Sequence, residues 1–162
     1  EAGADVPHDG ESIGGLQLRG PMLFDGYLGR PDATADSWTE DGWFMTGDVA
    51  VIDADGFHRI VGRESTDLIK SGGYRIGAGE VETALLGHPG VAEAAVIGAP
   101  DSDLGQVVVG FVVLREGFAA SESDLIDHVA AELSAHKRPR HIEFVASLPR
   151  NAMGKVQKAK LG

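Results

Sequence analysis

Hydrophobic and polar positions change period in the middle of the chain. Residues 68–76, LIKSGGYRI, hold two short β-rich runs on either side of a Ser-Gly-Gly connection, which is the pattern of a β-hairpin. Directly afterwards Val81, Ala84 and Leu85 recur at i, i+3 and i+4, which marks one face of a helix. The pattern therefore predicts a hairpin followed by a helix, whose acidic first turn suits the positive end of the helix dipole.

The apolar runs that follow predict two long strands, a second helix and a short strand. Residues 91–100 and 106–115 are the two long strands, and residues 142–145 are the short one. Ser121 is a candidate helix N-cap, with Asp124 three residues on in a variant of the capping box. The amphipathic face of that helix consists of Leu125, Ile126, Val129, Ala130 and Leu133. Together these elements predict an α+β domain with a small, mainly antiparallel sheet and flanking helices.

The first part of the chain predicts loops and β strands. Residues 1–15 are rich in Gly, Asp and Ser and are expected to be loop, whereas residues 16–20 alternate like a strand. Residues 43–45 predict a short strand, and the Thr-Gly-Asp sequence after it places Asp48 just past that strand. Residues 49–61 predict a hairpin around an Asp-Ala-Asp-Gly turn.

Composition excludes several classes of protein. The 162 residues contain no Cys, which excludes disulfides and thiolate chemistry. No apolar run is long enough to span a membrane, and the acidic start shows no signal peptide, so a cytoplasmic protein is expected. The six His residues lack metal-ligand spacing, so no metal site is predicted. Because the first residue is not Met, the chain is expected to be a piece of a larger protein.

Charge is unevenly distributed along the chain. The net charge is −11, and residues 1–62 carry 12 acidic against 3 basic side chains. Residues 137–160 instead carry 7 basic side chains and 1 acidic one. The acidic bulk argues against nucleic acid as a partner. The basic segment either meets a phosphate-bearing small molecule or is a solvated surface.

Three segments carry a family resemblance. They are residues 38–48, WTEDGWFMTGD, residues 62–82, GRESTDLIKSGGYRIGAGEVE, and residues 148–160, LPRNAMGKVQKAK. In this order they resemble motifs of the adenylate-forming superfamily, which holds acyl-CoA synthetases, luciferases and the adenylation domains of peptide synthetases. One departure is Gly15, which stands where the family usually has a glutamate.

The resemblance implies a domain boundary inside the second motif. Residues 1–66 would end the N-terminal adenylation domain, with β hairpins and a ribose-binding loop, and residues 67–162 would form the mobile C-terminal domain. Most of the N-terminal domain would be missing, so the first part is expected to expose surface that the complete enzyme buries. The missing portion is the expected place of the acid pocket, the triphosphate loop and the Mg²⁺ ligands, so this piece alone is expected to be inactive.

The family's ATP site maps onto three residues. The resemblance implies that Asp48 binds the ribose hydroxyls, with Arg63 contacting the same sugar and Thr46 beside them. A carboxylate suits that task because it can accept two hydrogen bonds from a vicinal diol.

The catalytic lysine maps onto Lys155. Gly154 and Lys155 do not form a Walker motif, because Pro149 and Val156 occupy the positions that need Gly and Ser or Thr. A lysine suits adenylation because its ammonium can screen two anions that meet in the transition state. Relatives with this motif are controlled by acetylation of the lysine, which implies a lysine acetyltransferase and a deacetylase as partners.

The resemblance also implies a CoA site and a hinge. Gly72 and Gly73 would lie against the pantetheine arm, and Arg75 would meet a CoA phosphate. An extra residue between Arg63 and the first strand of the hairpin leaves the hinge within residues 64–67, where Asp67 is our prediction.

Within the superfamily, the second and third motifs resemble those of bacterial malonyl-CoA synthetases most closely. This implies an ATP-dependent ligase that adenylates a short acid and transfers the acyl group to CoA with release of AMP and pyrophosphate. The resemblance favours malonate and leaves methylmalonate or another short acyl acid open. Two alternatives stay open: a peptide-synthetase adenylation domain that loads a carrier-protein thiol, and a non-catalytic binding fragment.

Overall fold

The computed structural model describes residues 4–161 and divides them into two compact units. The first unit ends at Glu64 and the second begins at Ser65. Both units contain antiparallel strands, and the longer helices lie in the second, so the fold is α+β as predicted. No helix within these described residues is both long and apolar enough to cross a membrane.

A small antiparallel sheet forms most of the first unit. Its strands are β1 (Gly14–Leu18), β2 (Phe44–Ile52) and β3 (His58–Arg63), in the order β1-β2-β3. The predicted turn between β2 and β3 is confirmed, and the Asp53 side chain closes it by accepting hydrogen bonds from two backbone N–H groups. A short helix, α1 (Pro31–Ala35), was not predicted.

A five-stranded sheet is the centre of the second unit. The strands are β4 (Leu68–Ser71), β5 (Tyr74–Gly77), β6 (Val91–Asp101), β7 (Gly105–Leu114) and β8 (His141–Phe144). Their order is β5-β4-β7-β6, and β8 pairs with β7 in parallel while the other pairs are antiparallel. The helices are α2 (Ala78–Gly87) and α3 (Glu122–Glu132), with short 3₁₀ turns at Ala135–Lys137 and Lys158–Lys160. The predicted mainly antiparallel sheet is therefore confirmed.

Each face of this sheet has its own apolar cluster, because side chains alternate between faces along a strand. One face packs against α2 and α3, and its buried residues include Leu85, Val112 and Leu125. The other face buries Phe111 and is covered by the C-terminal segment, which here means residues 145–161. The C-terminal segment is thus part of the folded unit.

Local signals account for both long helices. On α2 the predicted face is buried, as Val81, Ala84 and Leu85 show. On α3 the capping box is present, since Asp124 and Ser121 exchange side-chain and backbone hydrogen bonds.

The sequence predictions are wrong at Gly14 and Gly15, which lie in β1 and not in a loop, and at two residues of the candidate helix face and site. Ala130 is exposed, because the buried stripe of α3 is narrow and centred on Leu125 and Val129. Asp48 lies inside a strand, whereas the sequence predicted it just past one. The strand continues because β2 pairs with β1 and β3 on both of its edges, through a register shift between Val49 and Ala50.

Candidate functional site

The residues predicted to bind ATP lie together on neighbouring strands of the first unit. Asp48 on β2 faces Arg63 on β3, and the Arg63 Nε donates to an Asp48 carboxylate oxygen at 2.9 Å. The Thr46 hydroxyl accepts from the Asp48 backbone N–H at 3.0 Å and donates to the Leu16 carbonyl at 2.9 Å. The Asp48 side chain is 28% exposed and that of Arg63 is 62% exposed, so both can be reached from solvent. A carboxylate and a guanidinium therefore stand side by side and accessible.

The Gly72-Gly73 turn lies at the end of the β4–β5 hairpin in the second unit. The φ angles of Gly72 and Gly73 are 55° and 86°, and a tight two-residue hairpin turn of type I′ needs positive values at both positions. A Cβ on Gly73 would meet nothing within 4 Å. Backbone conformation therefore accounts for this glycine, and the turn presents bare main chain to solvent.

A basic pocket of about 210 Å³ lies beside this turn. The rings of Tyr74 and His136 stack at 4.3 Å on one side of it, and Arg138 and Arg140 add positive charge. His136, Arg138 and Arg140 were not predicted as site residues, although the run of basic residues around Pro139 was a signal. Arg75, the predicted phosphate contact, is exposed on β5.

The segment that carries Lys155 is a small hairpin whose turn is stabilised by hydrogen bonds to neighbouring side chains. Arg150 and Val156 form an antiparallel bridge. The Asn151 side chain accepts hydrogen bonds from the backbone N–H groups of Met153 at 3.0 Å and Lys155 at 2.9 Å. Gly154, with φ of 80°, closes the turn.

Arg150 braces this hairpin further. Its guanidinium donates to the Gly154 carbonyl at 2.6 Å and pairs with Glu93 on β6. Lys155 itself is exposed, and its side chain makes no hydrogen bond or ion pair among the described residues. The backbone is fixed while the ammonium can reach an anion.

Asp67, the predicted hinge residue, is held by two contacts within the second unit. Its carbonyl accepts from the Ala78 N–H at 2.7 Å, and its carboxylate pairs with Lys158. Lys158 also contacts Glu82 at 2.8 Å and is 19% exposed. Burial lowers the pKa of Lys158, but the hydrogen bonds from its ammonium to Asp67 and Glu82 outweigh that effect and raise it. The hinge role of Asp67 stays a prediction.

A second lysine is buried close to the start of α2. The Lys137 ammonium lies 2.9 Å from a Glu80 carboxylate oxygen, and its side chain is 8% exposed. Part of the basic segment, namely Lys137, Arg150 and Lys158, is therefore neutralised within the second unit. These three residues therefore fit neither of the two predicted roles of the basic segment, which were to bind a phosphate or to form a solvated surface.

The comparison with known families agrees with the resemblance carried by the motifs. Residues 80–155 match the family described as the AMP-binding enzyme C-terminal domain. The second unit of this chain belongs to the adenylate-forming superfamily. The match takes in α2, the long strands, α3 and the Lys155 hairpin of this superfamily member.

Several of the similar proteins are CoA ligases. The sulfoacetate–CoA ligase of Cupriavidus necator is 44% identical over 94% of this chain and 30% of its own length. The mitochondrial malonate–CoA ligase of Xenopus laevis is 46% identical over 91% of this chain and 25% of its own length. A solved malonyl-CoA ligase with methylmalonyl-CoA and AMP bound is 57% identical, with a TM-score of 0.52, over 90% of this chain and 32% of that one. The chain thus spans about a third or less of the length of these proteins.

Proposed function

We propose that the chain is the C-terminal part of an AMP-forming ligase that joins a short carboxylic acid to CoA. In the first step, a carboxylate oxygen attacks the α-phosphorus of ATP, and the bond to pyrophosphate breaks. In the second step, the CoA sulfur loses its proton and attacks the acyl carbonyl carbon, and the bond to AMP breaks. The products are an acyl-CoA, AMP and pyrophosphate.

The Lys155 hairpin is the observation that carries this proposal. Its backbone is fixed by Asn151 and Arg150, whereas the ammonium is exposed and pairs with no described residue. An ammonium carried on a fixed backbone can stabilise the charge that develops when a carboxylate meets a phosphate. Lys155 is therefore our catalytic residue for the first step.

Two other groups supply binding. Asp48 and Arg63 are our candidates for holding the ATP ribose, since they are paired and both side chains reach solvent. The Gly72-Gly73 turn lets a pantetheine arm approach the main chain closely. The arginines of the neighbouring basic pocket suit the phosphates of CoA, because guanidinium pairs well with phosphate oxygens.

The acid we propose is malonate or methylmalonate. The similar proteins act on or hold sulfoacetate, malonate and methylmalonyl-CoA, which share a short acyl group bearing a second acidic group. The second and third motifs of the sequence support the same choice.

Mg²⁺ is expected for a reaction of ATP, and we propose, from the family resemblance, that its ligands come from outside this chain. Within residues 4–161, no group of three or more Asp, Glu and His side chains is arranged to hold a metal ion. A cytoplasmic location also stays a prediction, and the Xenopus laevis relative is mitochondrial.

The test is an assay of the full-length protein for AMP release. Acetate, propionate, malonate, methylmalonate and sulfoacetate would each be offered with ATP, with CoA or a phosphopantetheinylated carrier protein as the thiol. We expect malonate or methylmalonate with CoA to give the largest kcat/KM. Faster transfer to the carrier would favour the peptide-synthetase alternative, and no AMP release with any acid would favour a non-catalytic role.

We also propose that acetylation of Lys155 switches the ligase off, with an acetyltransferase and a deacetylase as partners. The exposed position at a hairpin makes the ammonium accessible, and acetylation removes its charge. Protein acetylated fully at Lys155 should lose adenylation and regain it after deacetylation. Full activity in the acetylated protein would contradict this regulation.

A further inference from the structure

We propose that Lys158 is a positioning residue, which holds the Lys155 hairpin in place through Asp67 and Glu82. The inference rests on the proposed function, because it concerns how the catalytic lysine of that function is presented. Lys158 lies three residues after Lys155, so about 10 Å of extended chain separates the anchor from the catalytic group.

Glu82 and Asp67 are each held by a further contact, so their ion pairs with Lys158 restrain the position of the lysine. Glu82 accepts from the Val96 N–H on β6 at 2.8 Å as well as from Lys158. Asp67 is tied to the start of α2 by its carbonyl. Both acids therefore belong to the framework of sheet and helix, and Lys158 attaches the C-terminal segment to that framework.

Arg150 attaches the start of the hairpin to Glu93, but among the described residues Lys158 forms the only ion pairs of the segment that follows Lys155. Val156 and Leu161 pack only partly buried against the outer face of the sheet, on either side of Lys158. The Gln157 N–H donates to the Pro149 carbonyl at 2.8 Å, but that bond joins two parts of the same C-terminal segment. Without the Lys158 ammonium, two carboxylates would be left half-buried without their shared cation, which is costly.

The same cluster bears on the hinge. Because Asp67 shares its lysine with Glu82 on α2, Asp67 moves with the second unit. A pivot at Asp67 would then turn about its N–Cα bond, which precedes both of these contacts in the chain.

The first test is hydrogen exchange in the 162-residue chain with Lys158→Met, which keeps the length of the side chain and removes the charge. We expect exchange across residues 149–161 to accelerate about tenfold, between the effects of exposed and buried ion pairs. Residues 106–114 of β7 serve as an internal reference and should not change. Lys160→Met is the matched control, since Lys160 is exposed and forms no ion pair among the described residues.

The second test compares half-reactions in the full-length enzyme. Lys158→Met should slow ATP–pyrophosphate exchange about tenfold, leave thiolysis of a supplied acyl-adenylate unchanged, and be largely rescued by Lys158→Arg. Asp67→Asn should reproduce the effect in weaker form, and it keeps the test decisive if Lys158→Met does not fold.

Two results would overturn the proposal: unchanged exchange across residues 149–161, or equal loss of both half-reactions. Failure of the proposed function is a different outcome. In that case the wild-type enzyme would show no pyrophosphate exchange with any acid, while hydrogen exchange would still decide whether Lys158 anchors the hairpin.

Discussion

Two tight turns of the second unit end in glycine but present different chemistry. The turn between β4 and β5 is two glycines long, and a Cβ on Gly73 would meet nothing within 4 Å. The hairpin between Arg150 and Val156 has one glycine at positive φ, and it carries a charged side chain directly after it. The first turn has no side chain, so it can act only by letting a ligand lie close to its main chain. The second turn can act through the ammonium of Lys155.

The two turns also differ in what stabilises them. Gly72 and Gly73 need no side-chain support, because the ladder between β4 and β5 fixes the turn on both sides. The Lys155 hairpin depends on hydrogen bonds from side chains, since Asn151 accepts from the Lys155 N–H and Arg150 donates to the Gly154 carbonyl. Function in the second turn should therefore be sensitive to residues that never touch a substrate.

The largest effect is expected from Lys155→Ala in the full-length enzyme. Removing one preorganised charge from a transition state costs about 100- to 1,000-fold in rate. The loss should appear in kcat for pyrophosphate exchange, with little change in the KM for ATP. Lys160→Ala is the control, and an equal loss in that variant would show that general basic charge is what matters.

Asp48→Ala tests a binding residue that lies outside both turns, namely the proposed contact to the ATP ribose. Losing hydrogen bonds to a charged acceptor costs about 1.5–3 kcal/mol each, so the KM for ATP should rise about 10- to 150-fold. Titrating ATP in pyrophosphate exchange measures it. A KM equal to that of the wild type would make Asp48 a structural residue of β2.

The sequence predicted those parts of the fold that depend on neighbours along the chain. The β4–β5 hairpin, the buried face of α2 and the capping box of α3 all follow from local patterns. Ion pairs between distant segments have no such signature. Lys158 meets Asp67 across 91 residues, and Arg150 meets Glu93 across 57.

The sequence predicted the residues of the candidate site but not the contacts that hold their side chains and backbone in place. Asp48 and Arg63 were each identified from a motif, and the structure adds that they pair directly. Lys155 was identified in the same way, whereas its support by Arg150 is visible only in the folded structure. A resemblance transfers motif positions, and the contacts beneath them depend on packing.

Asn151→Ala should have the smallest effect, and it tests the dependence of the second turn on side chains. The variant loses two hydrogen bonds, each contributing about 0.5–1.5 kcal/mol, from an exposed loop. Pyrophosphate exchange should slow several-fold, with thiolysis unaffected. Asn151→Asp keeps an acceptor oxygen and should restore most of the rate. If Asn151→Ala matched the wild type, preorganisation of this hairpin would be unimportant.

The most direct test of the account measures both half-reactions in Gly73→Leu and in Lys155→Ala. A side chain at Gly73 has room but forces a left-handed backbone, at a cost of about 1–2 kcal/mol, so Gly73→Ala serves as the control for strain without bulk. We predict that Gly73→Leu spares pyrophosphate exchange and stops thioester formation, while Lys155→Ala stops exchange and spares thiolysis of a supplied acyl-adenylate. Equal damage to both half-reactions in both variants would contradict the assignment of one turn to each step.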